Sequence, residues 1–109
     1  MTGQVIVIPA EGSQPIRTRE TDTPPTLQEL QDIVDGHIEP VPHWSNWQGQ
    51  PCVVWCNEDG KRDNLPVNVR ATVAWAESLH ISPADLARQD VLVGDIVLVV
   101  NLPDEEEEE

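Results

Sequence analysis

TLQELQDIVDGHIEPVP, residues 26–42, reads as one short capped helix that turns directly into a strand. Thr26 is placed to act as N-cap, and Glu29, three residues on, can reach back to it, which makes a capping box. Leu27, Leu30, Ile33 and Val34 then recur at the spacing of one helix face. Gly36 follows the last apolar turn, where a helix commonly ends on a left-handed residue that glycine adopts without steric cost. From His37 and Ile38 the pattern changes to a period of two. A helix this short is not stable alone, so Leu27, Leu30, Ile33 and Val34 are expected to pack on a sheet.

Outward from this unit the chain supplies strands on both sides. Gln4 to Ile8 is a β-branched run closed by Pro9, the expected first strand. A turn through Gly12 and Ser13 leads to Pro15–Glu20, which can pair back on it with Ile16 and Thr18 on one face and Arg17 and Arg19 on the other. Pro24 and Pro25 hold the approach to the helix extended. After Gly36, Pro40 and Pro42 confine the strand at His37–Pro42 to a sheet edge or a short pairing. His43–Pro51 reads as a loop with two tryptophans, and Cys52–Asn57 as a central strand. The Asp59-Gly60 pair that follows is a tight-turn signal. Asn68 is placed to N-cap a second helix on which Val69, Ala71, Val73, Trp75, Ala76 and Leu79 give a broad apolar surface. Ser82, Pro83 and Asp85 open a third, short helix. Asp90–Asn101 supplies the last strand or strand pair, with Gly94-Asp95 as a bulge or tight turn. The order β-β-α-β-β-α-(short α)-β predicts an α+β fold: a small, mainly antiparallel sheet of about four to five strands with two helices and a short third packed on one face.

Length and charge narrow the function. At 109 residues the chain is one domain with one modest core. Its 20 acids outnumber 6 bases, a net charge of −14. Asp104–Glu109 is a block of six acids, expected to repel itself and form a disordered tail after a globular domain at 1–103. The remaining body still holds 14 acids against 6 bases. Such a surface is not expected to bind nucleic acid or anionic lipid, whose affinity comes from clustered Lys and Arg. No apolar run is long enough for a membrane helix, and the start lacks the pattern of a secretion signal. A cytoplasmic protein is expected.

The helix-glycine-strand unit, taken with Asn57-Glu58-x-Gly60-Lys61 and Leu65-Pro66-x-Asn68, resembles a small domain of unknown function found in bacteriophages, plasmids and bacterial, often actinobacterial, genomes. That family's L-x-x-L-Q-x-I-V-x-G-x-I-E core is matched by Leu27, Leu30, Gln31, Ile33, Val34, Gly36, Ile38 and Glu39. Its V-x-G-D-x-V element is matched by Val93, Gly94, Asp95 and Val97. The resemblance covers nearly the whole chain. It implies an accessory protein of a phage or mobile element, working in the cytoplasm of a bacterial host. It carries no activity, cofactor or catalytic residue that transfers to these positions.

Chemistry-bearing residues are few and scattered. Cys52 and Cys56 fall on one face of a strand, roughly 13 Å apart at about 3.3 Å per residue, too far for a disulfide or an easily shared zinc ion. Buried thiols acting as small apolar groups account for them. The turn at Asn57–Gly60 superficially resembles a calcium loop, but the twelfth position from Asn57 is Asn68 rather than the glutamate such a loop needs, and a hairpin turn accounts for it better. His37, His43 and His80 have no neighbouring nucleophile, no serine lies in a G-x-S-x-G setting, and each glycine stands alone rather than in a phosphate-binding loop. No catalytic residue, metal or cofactor is expected. Trp44 and Trp47 form the most distinctive feature outside the family pattern. Tryptophan is enriched at binding hot spots, although at least one of the two is expected to fold back over a core poor in other aromatics.

The reading is therefore a non-enzymatic accessory protein that binds a host or phage protein through Trp44, Trp47 and an acidic face containing Glu58, Asp59 and Asp63. Direct nucleic-acid or membrane binding is not expected, and open strand edges leave room for a dimer. The alternative is an acidic nucleic-acid mimic that blocks a host DNA-binding or defence enzyme. A third reading is an enzyme with a Cys/His site.

Overall fold

A computed structural model describes residues 3–102. The expected tail at Asp104–Glu109 lies outside the described residues.

Strand β6 (Ile96–Val100) organises the molecule. All five of its residues are buried. Ile96, Leu98 and Val100 enter one apolar cluster, while Val97 and Val99 enter another on the opposite face. Strand β1 (Gly3–Ile8) divides in the same way, Ile6 and Ile8 against Val5 and Val7. In β5 (Gln50–Asn57), Cys52 and Val54 face the first cluster and Trp55 the second. Successive strand side chains alternate faces, so an unbroken apolar run requires both faces to be covered. With β2 (Arg17–Thr21) and β3 (Ile38–Pro40) the strand order is β2-β1-β6-β5-β3. Every pairing is antiparallel. The fold is α+β, as expected. β5 is interior, as expected, lying between β6 and the proline-bearing edge strand β3, and β6 is the middle strand.

The covering helices are α1 (Leu27–Val34), α2 (Val69–Leu79) and α3 (Pro83–Ala87). The expectation of helices on one face is corrected here. Leu30 and Val34 of α1 close the second cluster, whereas Ala71, Trp75 and Ala76 of α2 and Leu86 of α3 close the first. The helix periodicity identified the apolar stripes but carries no information on which side of the sheet each one meets. Leu27 and Val69, expected to be packed, are 48% and 64% exposed. Both occupy the first position of their helices, at the rim of the contact.

The caps follow local chemistry. Thr26 Oγ1 accepts from the Glu29 N–H at 3.1 Å, and Glu29 Oε1 accepts from the Thr26 N–H at 3.1 Å. Asn68 Oδ1 accepts from the Ala71 N–H at 3.0 Å, and Ser82 Oγ from the Asp85 N–H at 3.1 Å. The end of α1 differs from expectation. Its left-handed residue is Asp35, at φ 62°, and Gly36 is not in that region. Gly36 is needed for space instead: a Cβ there would lie 2.6 Å from the Asn57 side-chain nitrogen.

Two loop expectations also change. His43–Pro51 contains a two-residue strand, β4 (Asn46–Trp47), paired with the start of β5 so that Trp47 faces Gln50. Gln48 and Gly49 between them both have positive φ, 51° and 84°, the primed turn that matches the twist of a hairpin. The Asp59-Gly60 turn does not return the chain as a paired strand. It opens a series of turns to Asn64 that leads to α2. Asp90–Asn101 yields the single strand β6, preceded by an isolated bridge between Val93 and Val67.

Candidate functional site

The residues that carry the family resemblance meet in space, and most of them lock backbone. Asn57 is buried, and its amide donates to the carbonyls of Val34 and Asp35 at 3.1 and 3.2 Å, groups the end of α1 leaves open. Its Oδ1 accepts from the Asp59 N–H at 2.7 Å, which sets the turn. A Cβ on Gly60 would lie 2.8 Å from Val93, so this turn packs directly on the segment before β6. Asn68 is fully buried; its amide donates to Ile8 and Gly94 carbonyls at 2.8 and 2.9 Å while its oxygen caps α2. Asp95 Oδ1 accepts from the Ala10 N–H at 3.0 Å. The short sequence elements thus join α1, the turn after β5, α2 and the approach to β6 to one another.

Beside these locks lies a cleft of about 90 Å³ lined by Glu39, Cys56, Glu58, Lys61, Trp75 and Asp90, among others. Lys61 and Asp90 form an ion pair across it. Its volume corresponds to about three waters, at ~30 Å³ each, well below the ~300 Å³ at which ligand clefts begin. Cys56 Sγ donates to the Glu39 carbonyl at 3.5 Å. Burial pushes the Cys56 thiol up to about 11, with the carboxylates of Glu39 and Asp90 adding to the shift and Lys61 opposing it. Burial likewise pushes Cys52 up to about 11. Both are free thiols. An activated cysteine needs the opposite shift, so this environment holds both sulfurs protonated at neutral pH.

A measurable consequence follows for alkylation by iodoacetamide in the folded protein. The rate for Cys56 is expected to stay low at pH 7.5 and to climb steadily toward pH 11, with no plateau near neutrality. A plateau below pH 8 would contradict the assigned environment. Because the folded thiols sit above the ordinary value of 9.0, the unfolded chain releases these protons first. The thiols' contribution to stability is complete below pH 9 and is lost as pH rises through about 11.

The structure separates the expected contact residues. Trp44 is only 3% exposed, and its indole N–H donates to the Asn46 carbonyl at 3.1 Å. It is a core residue that anchors the β4–β5 hairpin and has no surface to offer a partner, which corrects its assignment as a contact residue. Trp47 is half-buried, packed against the first cluster. It lines a groove of about 290 Å³ with Asn46, Gln48, Ala74, Glu77 and Ser78. Glu58, Asp59 and Asp63 all lie in the turns after β5. Glu58 and Asp63 are exposed and Asp59 is partly so. Their charge is not bare: Arg62 lies 3.3 Å from Asp59 and 3.4 Å from Asp63. The acidic turns and Trp47 stand at opposite ends of β5, roughly 23 Å apart at about 3.3 Å per residue, so they form two surfaces. Sequence reasoning missed Ala74, Glu77 and Ser78, because a helix face becomes a groove wall only when a hairpin is laid beside it.

Among the described residues no helix is long and apolar enough to cross a membrane. Nor does any group of three or more His, Cys, Asp or Glu gather where it could hold a metal ion among those residues. No curated protein and no solved structure matches the chain. A family described as Domain of unknown function (DUF3846) does match it, over residues 1–109, and the chain belongs to that family.

Proposed function

We propose that this domain works by binding another protein and performs no chemistry of its own, serving as an accessory protein of a phage or mobile element in the bacterial cytoplasm. The observation that carries the binding reading is Trp47. A large aromatic side chain is left partly exposed at the lip of a groove, on a hairpin anchored by the buried Trp44. Rigid, partly buried aromatics are the usual anchors of protein interfaces. The thiols, held protonated by burial, support the non-catalytic part of the reading.

The test is capture of partners from host lysate by the tagged chain, at low and at raised salt, alongside a Trp47→Ala variant. A partner retained at raised salt and lost with Trp47→Ala is the expected result. Capture that is indifferent to Trp47 overturns the assignment of the surface. The alternative of an acidic nucleic-acid mimic predicts a different pattern: basic, DNA-handling proteins held only at low salt and displaced by added DNA. The net charge of −14 favours that alternative, while Arg62 between Asp59 and Asp63 interrupts the acidic surface where a mimic would need it continuous.

A further inference from the structure

The Trp47 groove has a chemical character that narrows the partner. One wall is formed by Trp47, on β4. The other is a face of α2, where Ala74, Glu77 and Ser78 fall at the i, i+3 and i+4 spacing that puts helix residues side by side. Ala74 is small and leaves the groove open. Glu77 is exposed and makes no ion pair among the described residues. Asn46 Oδ1 already accepts from the Gly49 N–H at 3.1 Å, and Ser78 Oγ donates to the Trp75 carbonyl at 2.8 Å. The polar rim is thus partly committed internally, and the carboxylate is the charged group left to receive a ligand.

We propose that this groove receives an arginine side chain presented by the partner protein, with the guanidinium stacked on the Trp47 indole and paired to the Glu77 carboxylate. This rests on the protein-binding reading and specifies its partner. An aromatic face attracts a cation through its quadrupole. Guanidinium is the cation whose flat, weakly hydrated surface stacks on a ring while its edge donates to a carboxylate. The whole chain, at −14, draws a basic partner toward it. An acidic or purely apolar partner would leave Glu77 facing like charge or no donor.

The experiment titrates the full chain with a capped Gly-Ser-Arg-Ser-Gly peptide and with the same peptide carrying neutral citrulline, following the Trp47 indole N–H and the amides of residues 74–78 by NMR. The arginine peptide is expected to shift these signals at least fivefold more strongly in affinity than the citrulline peptide. Trp47→Leu, which keeps apolar bulk but removes the ring, and Glu77→Gln, which keeps shape but removes charge, are each expected to weaken binding about two- to fivefold. Equal response to both peptides overturns the proposal. So does arginine binding that neither substitution changes, which would be general attraction to an acidic chain. If lysate capture depends on Trp47 while the peptides are not distinguished, the binding surface stands and the arginine assignment falls. If capture is also indifferent to Trp47, both fall.

Discussion

Replacing Asn68 by aspartate is expected to destabilise the domain by about 3 kcal/mol, although aspartate caps helices as well as asparagine does. The side chain is fully buried and divides its work: the oxygen accepts from the Ala71 N–H, and the amide donates to the carbonyls of Ile8 and Gly94. Aspartate preserves the first contact. It turns an acceptor toward two carbonyl oxygens that lose their donor, and each buried group left unpaired costs roughly 1–3 kcal/mol. Asn68→Ala loses all three bonds and is expected to cost at least as much. On a domain whose total stability is on the order of 5–15 kcal/mol, either change is large. Urea unfolding followed by tryptophan fluorescence reads it directly. An Asn68→Asp midpoint equal to that of the parent would show that the two carbonyls find other donors.

Trp44 and Trp47 are expected to differ sharply in their response to alanine. Trp44→Ala removes a ring that is 3% exposed and packed in the cluster shared by β1, β5, β6 and α2, and should cost about 4 kcal/mol of stability. Trp47→Ala removes a half-buried ring and should cost roughly 1 kcal/mol, while removing the anchor of the proposed interface. Thermal unfolding combined with partner capture separates the two. Trp44→Ala should melt well below Trp47→Ala, whereas only Trp47→Ala should lose the partner at temperatures where both are folded. Equal losses of stability would mean that the hairpin unfolds as a unit with either ring.

Local elements were readable because their causes are local. Thr26 with Glu29, Asn68 and Ser82 with Pro83 each announce a helix start by a hydrogen bond made within three residues, and each cap forms as expected. The proline-bearing strand lies at an edge because proline donates no ladder hydrogen bond. The β4 hairpin was harder to read: Gln48 at positive φ is an uncommon choice where asparagine or glycine would have marked the turn. Gly36 was legible as a necessary glycine, but for the wrong reason, since the side chain that excludes a Cβ there comes from Asn57, far along the chain.

An acidic α+β domain, its three helices and the thiols' lack of a disulfide partner all follow from neighbouring residues and from spacing along one element. That the helices cover opposite faces, that β6 is the middle strand, that Trp44 is interior while Trp47 is partly exposed, and that α2 walls a groove beside the hairpin all come from packing between distant parts of the chain. Those outcomes depend on which apolar surfaces meet across the sheet. Hydrophobic burial is non-directional, so the pattern along the chain specifies that a face must be covered without naming what covers it.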